Sequence, residues 1–139
     1  MTQITLADAA YFAGLFDGEG SVYYKKTKQK KHKRPGKPVH NVWVVRMEIA
    51  MTDKDTIKWC YDTFNCGHWG ERKVKPEYKR QWRWRIVHRD ALYVAKIIWP
   101  FAQVKLHKLE QIIDHYEPRM QDLGDNIVDL ALEREVRKP

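Results

Sequence analysis

At 139 residues and 16.7 kDa, with 43% hydrophobic and 12% aromatic residues, the chain can bury a core without staples and is not globally disordered. No apolar run is long enough to span a bilayer, and Met1-Thr2-Gln3 lacks the basic-then-apolar start of a secretory signal, so a soluble, intracellular protein is expected. The net charge of +8 is concentrated in the middle, with 19 Lys/Arg against 6 Asp/Glu from Ser21 to Arg89 and 7 against 12 elsewhere, so the expected partner is a polyanion.

Thr5 followed by Asp8 fits a capping pattern and predicts a helix from about Leu6 to Asp17, stopped by Gly18 and Gly20. Within it Ala9/Ala13 and Ala10/Gly14 are small pairs four residues apart, a stripe that lets another helix approach closely. Two strands are expected next, Ser21 to Lys28 and Val39 to Met51, joined by the basic loop Gln29–Pro38. In the second strand Asn41, Trp43, Val45, Met47, Ile49 and Met51 form a mostly apolar set, which should pack on helices. His40, Val42, Val44, Arg46 and Glu48 form the outward set.

Asp53 is a good N-cap for a helix from Lys54 to Phe64, broken by Asn65-Cys66-Gly67. A second hairpin is expected from Trp69 to Val74 and Arg80 to His88, where Trp82, Trp84 and Ile86 alternate with Arg83, Arg85 and Val87. Asp90 should cap a helix to Trp99, and a further helix should run from Phe101 to Tyr116. The tail Leu123–Val136 could add a short helix with Ile127, Leu130 and Leu132 inward. The fold class is therefore α+β, in the order α-β-β-α-β-β-α-α, with antiparallel strands and the helices on one sheet face. One domain over residues 1–139 is expected, with its core at about 5–117 and a helical tail at 118–139.

Cys60 and Cys66 are the only cysteines; without a second Cys/His pair nearby they read as two reduced thiols and not as a zinc site. The acids at Asp17 and Glu19, set between glycines at a helix-to-strand junction, are more informative. Phe12-Ala13-Gly14-Leu15-Phe16-Asp17-Gly18-Glu19-Gly20 resembles the signature of the LAGLIDADG homing endonucleases, with Phe12 for the first Leu, Phe16 for Ile, Gly18 for Ala and Glu19 for Asp. Pro100 to Lys105 is similar to the family's later Pro-Phe stretch leading to a lysine, and the likeness covers about Leu6 to Tyr116.

The resemblance implies a saddle-shaped antiparallel sheet that rides on double-stranded DNA, and a site-specific endonuclease that cuts both strands and leaves 3′ overhangs. One copy of the motif implies a homodimer whose motif helices meet at the two-fold axis through Ala9, Ala10, Ala13, Gly14 and Asp17, and so a near-palindromic target. It implies Mg²⁺ (Mn²⁺ or Ca²⁺ also fitting) held by the Glu19 carboxylate and the Gly18 carbonyl, with scissile phosphates completing the site. No organic cofactor and no membrane partner is expected. Lys105 is implied as the basic catalytic residue beside the attacking water, polarising that water or stabilising developing charge. Asp17 is implied as a cap on the partner's helix; a local cap or a surface charge is its other reading.

A two-stranded ribbon fits the major groove, and alternate residues reach base edges. The expected DNA-binding set is Ser21, Tyr23, Lys25, Thr27, Arg46, Glu48, Arg72, Arg83 and Arg85, with Lys28, Lys30, Lys31, Lys33 and Arg34 on phosphates. Aligning the last strand by Pro100 would turn Trp82 and Trp84 outward instead. The cost of burying two guanidiniums keeps the arginines outside. The rival readings are a family-like binding module without cleavage, such as an intron-splicing cofactor or regulator, and a basic coat protein. Retention of Asp17, Glu19 and Lys105 argues against the first, and clean strand alternation against the second.

Overall fold

A computed structural model describes residues 3–28 and 41–117. Its elements are α1 (Leu6–Glu19), β1 (Gly20–Lys28), β2 (Asn41–Met51), α2 (Lys54–Phe64), β3 (His68–Arg72), β4 (Gln81–Val87), α3 (His88–Ile98) and α4 (Leu106–Tyr116). The strands form one antiparallel sheet in the order β1-β2-β4-β3. The basic loop with Lys30, Lys31, Lys33 and Arg34, and the expected tail helix, lie outside the described residues.

The sheet buries one face against the helices. Val45, Met47 and Ile49 of β2 and Trp84 and Ile86 of β4 are buried with Phe12, Phe16, Ile57, Phe64, Leu109 and Ile112. Trp84 is the keystone: its ring stacks on Phe64 at 5.5 Å and meets the edge of Phe12 at 5.5 Å. Its indole N–H donates to the Cys66 carbonyl at 2.8 Å, so the one polar atom of that ring is satisfied. The arginine phase of β4 follows: Arg83 and Arg85 share the outer face because Trp84 and Ile86 fill the inner one. No helix among the described residues is long and apolar enough to cross a membrane.

Several boundaries differ from the sequence expectation. Thr5 does cap α1, its hydroxyl accepting from the Asp8 N–H at 3.1 Å. The helix, however, runs through Gly18 to Glu19 and ends only at Gly20, whose extended backbone donates to the Phe16 carbonyl. Gly18 therefore does not stop it. A Cβ at Gly20 would overlap the Phe16 ring, so the turn from α1 into β1 needs the bare backbone there. Asp53 stands at the N-cap of α2, but its carboxylate accepts from the Thr56 hydroxyl at 2.6 Å and not from a backbone N–H. Asp90 does not cap α3: β4 runs directly into the helix, whose N-cap is Val87, and Asp90 sits in its first turn. The last helix begins at Leu106, five residues later than Phe101, because the chain between is held by other bonds. The N–H groups of Phe101 and Ala102 donate to Ile98, and those of Gln103 and Lys105 to Asp17.

Gly67 closes the turn from α2 to β3 at φ 83, a left-handed conformation that side chains disfavour, and a Cβ there would run into Ile86 and the Arg85 carbonyl. Gly67→Ala is expected to lower unfolding stability by about 2–4 kcal/mol, from backbone strain and overpacking together, as read by urea denaturation.

Candidate active site and nucleic-acid interface

The end of α1 is clasped to a loop some ninety residues further along the chain. Asp17 accepts the Gln103 N–H on Oδ2 at 2.8 Å and the Lys105 N–H on Oδ1 at 2.9 Å. In return the Lys105 ammonium donates to the Asp17 carbonyl at 3.1 Å. Both carboxylate oxygens of Asp17 thus accept within the described chain, where Asp17 caps the 103–105 loop as the local-cap reading has it. The physical reason is the orphan N–H groups before α4, which need an acceptor. The clasp brings Lys105 to the C-terminal end of the motif helix, against Asp17, which stands one residue before Gly18 and two before Glu19.

Glu19 is exposed and its carboxylate has no hydrogen-bond or ion-pair partner among the described residues. The last turn of α1 holds no basic residue. A helix C-terminus already carries partial negative charge from unpaired carbonyls, so an added carboxylate there is unfavourable until a cation arrives. The donor set, a carboxylate beside the Gly18 carbonyl, is oxygen-only and suits a hard divalent ion such as Mg²⁺. Among the described residues no group of three or more His, Cys, Asp or Glu side chains is placed to hold a metal by itself. The cysteines lie elsewhere: burial pushes the Cys60 thiol up to about 12, and burial with the Asp90 charge pushes Cys66 up to about 11.

The outer face of the sheet gathers most of the expected interface. Strand register puts Ser21, Tyr23, Lys25 and Thr27 beside Glu48, Arg46, Val44 and Val42, and Glu48 beside Arg85. Arg83 and Arg72 complete the face towards β3. Lys28, the last residue of β1, pairs with Asn41 and falls on the inner phase of its strand, at the open end of the sheet. The Arg46 guanidinium lies 4.6 Å from the centre of the Tyr23 ring, and Arg72 donates to Gln81 at 3.3 Å. The face also holds His68 and Gly70 of the short strand β3, and Ala50 and Gln81 at the ends of β2 and β4, which the sequence reading passed over.

The small residues of α1 divide between two environments. Ala9 and Ala13 are buried in this chain's own core and do not belong to an exposed seam, a correction to the expected set. Ala10 and Gly14 are exposed. With Ala7 and Gly18 they form a small-residue stripe at spacings of three, four and four, flanked by the exposed Leu6 and Tyr11. A Cβ added at Gly14 or Gly18 would meet nothing within 4 Å. The same spacing in the sequence could have disclosed Ala7 and Gly18.

Known structures share this architecture. The homing endonuclease I-CvuI, in complex with its target in the presence of calcium, matches with a TM-score of 0.64 over 95% of this chain and 80% of that one, at 12% identity. The archaeal intron-encoded homing endonuclease I-Vdi141I complexed with DNA matches at 0.58 over 96% and 85%, at 12% identity. I-SmaMI, a LAGLIDADG homing endonuclease bound to cleaved DNA, matches at 0.58 over 94% of this chain but 44% of its own, again at 12% identity. The chain has the LAGLIDADG homing endonuclease fold. No family model and no curated protein matches it in sequence.

Asp17→Asn keeps the size of the side chain but leaves one carbonyl oxygen for two N–H donors. It should cost about 1–3 kcal/mol of stability and raise amide hydrogen exchange at Gln103 and Lys105 selectively. Unchanged exchange at those two amides would count against the clasp.

Proposed function

We propose that this protein is a site-specific, divalent-metal-dependent DNA endonuclease. It acts as a homodimer, binds a long near-palindromic duplex and hydrolyses both strands to leave 3′ overhangs. The observation that carries the reading is the clasp: by bonding to Asp17 it sets the cation Lys105 at the same junction as the exposed, unpaired carboxylate Glu19, directly where the sheet with its basic outer face begins. The likeness to proteins solved on DNA, including I-CvuI in the presence of Ca²⁺ or Mg²⁺, supports the same reading.

In the proposed reaction a water oxygen bonds to phosphorus in line with the departing O3′, the P–O3′ bond breaks, and a 5′-phosphate and a 3′-hydroxyl result. Glu19 and the Gly18 carbonyl would hold Mg²⁺ together with the scissile phosphate, since Mg²⁺ seldom takes an all-protein cage. When bound, the ion supplies charge neutralisation and a more acidic water. Lys105 orients the water and stabilises charge developing on the phosphoryl oxygens. Asp17 is a positioning residue, keeping the loop that carries Lys105 against the helix end. A role in binding alone would leave Glu19 unexplained, because an unpaired carboxylate at a helix C-terminus weakens the helix.

The dimer places two such junctions on the two strands. An exposed helical glycine costs about 1 kcal/mol relative to alanine, and Gly14 and Gly18 meet nothing among the described residues that would require it. Close approach of a second copy of α1 supplies the reason, with Leu6 and Tyr11 covered at the same time.

Glu19→Gln is expected to retain target binding and lose cleavage by a factor of a hundred or more on a selected duplex in Mg²⁺, on the order of the loss when an electrostatic catalytic group is removed. Robust cutting by this variant would remove Glu19 from the mechanism. Separately, Gly14→Leu should keep the circular dichroism spectrum of the native fold and sediment as a monomer. A persistent dimer would refute the seam.

A further inference from the structure

Glu48 is the only carboxylate among the described residues of the outer sheet face. On a surface built to meet a polyanion, an acid weakens attraction, so its position calls for a reason. It stands near the middle of the sheet, opposite Ser21 on one side and Arg85 on the other. Its Oε1 accepts from Arg85 Nε at 3.0 Å and lies 2.9 Å from Arg85 Nη2, and Arg83 Nη1 is 3.7 Å away. One carboxylate oxygen therefore grips the Nε–Nη2 edge of Arg85. The other oxygen has no partner among the described residues.

The free groups have a definite chemistry. Arg85 keeps the donors at its Nη1–Nη2 end, a fork that fits guanine O6 and N7. Glu48 keeps Oε2, an acceptor that fits the N4 amino group of cytosine. Across the major-groove edge of a G·C pair these features come in the order acceptor, acceptor, donor. The two side chains arise from directly opposed positions on neighbouring strands, about 5 Å apart at the backbone. The geometry points to Glu48 as a positioning and specificity-determining residue that, with Arg85, selects a G·C pair in each half-site. This rests on the DNA-binding reading above and adds the target chemistry at one position. An A·T pair sets an amino donor against the arginine fork. Inversion to C·G sets the amino group under Arg85 and the acceptors under Glu48. Both are rejected by mismatch, and the acid is retained because it repels the wrong pair as well as holding the right arginine.

The test selects bound duplexes from a randomised pool in Ca²⁺, using the full chain as wild type, Glu48→Gln and Arg85→Lys, with thermal melts of each. Wild type is expected to enrich a G·C pair at mirrored positions of the two half-sites. Glu48→Gln should hold or raise overall affinity while its preference for that pair over the other three drops roughly tenfold, the worth of a good bidentate contact. Arg85→Lys should relax the same position, and 7-deazaguanine there should weaken wild type more than Arg85→Lys. A merely structural Glu48 would instead lower the melting temperature and leave base preference intact, and that result overturns the inference. Enriched sites without a mirrored G·C pair overturn it as well, with the endonuclease reading untouched. A wild-type pool with no enrichment at all overturns the DNA reading itself.

Discussion

The carboxylate of Asp17 is the constraint on which the arrangement rests. Local sequence can end a helix and begin a strand, but it cannot place residue 105 beside residue 17. Two short bonds to the N–H groups of Gln103 and Lys105 do so. They also explain why the chain after Pro100 does not wind at once into α4, since N–H groups given to Asp17 are not available to an earlier helical turn. The ammonium of Lys105 closes the arrangement against the Asp17 carbonyl. With these bonds made, one acid of the pair serves structure, and Glu19 alone remains open to solvent.

The second organising element is the alternation of the strands. On β2 and β4 alternate residues enter a continuous core that includes Val45, Met47, Ile49, Trp84 and Ile86, whereas Asn41 and Trp43, expected to pack on helices, stay exposed at the open end of the sheet. The residues between them project away from all helices. The guanidiniums are not left to float there: Arg46 lies over Tyr23, and Arg85 is held by Glu48. Such pairs are worth little as stability at a half-exposed site. They matter because they limit the rotamers of long side chains before any ligand arrives.

Much of this was legible in the sequence. The alternation of β2 was plain over eleven residues, and the cost of burying charge settled the phase of β4 without coordinates. What stayed illegible has physical causes. The α1 sequence is small and apolar almost all round, so periodicity could not tell which alanines face the core; Ala9 and Ala13 do, and Ala7 and Gly18 do not. Gly18 looked like a stop, yet a helix whose other face is tightly packed carries exposed glycines, Gly14 and Gly18 here, at a cost of about 1 kcal/mol each. Asp17 had two equal readings because its partners lie 86 and 88 residues away, where no local rule reaches.

The outer face has a further consequence. Its side chains make contacts with one another and with solvent, while the inner set alone meets the core. Substitutions among Ser21, Tyr23, Arg46, Arg83 or Arg85 therefore leave Trp84, Phe12 and Phe64 in place. The outer face can vary without passing through an unfolded ancestor. Glu48 is the exception on that surface: because it is shared with two arginines, a change there is felt at three positions at once. Change on this face would then proceed in steps of coupled residues near the middle of the sheet and in single steps towards its rim.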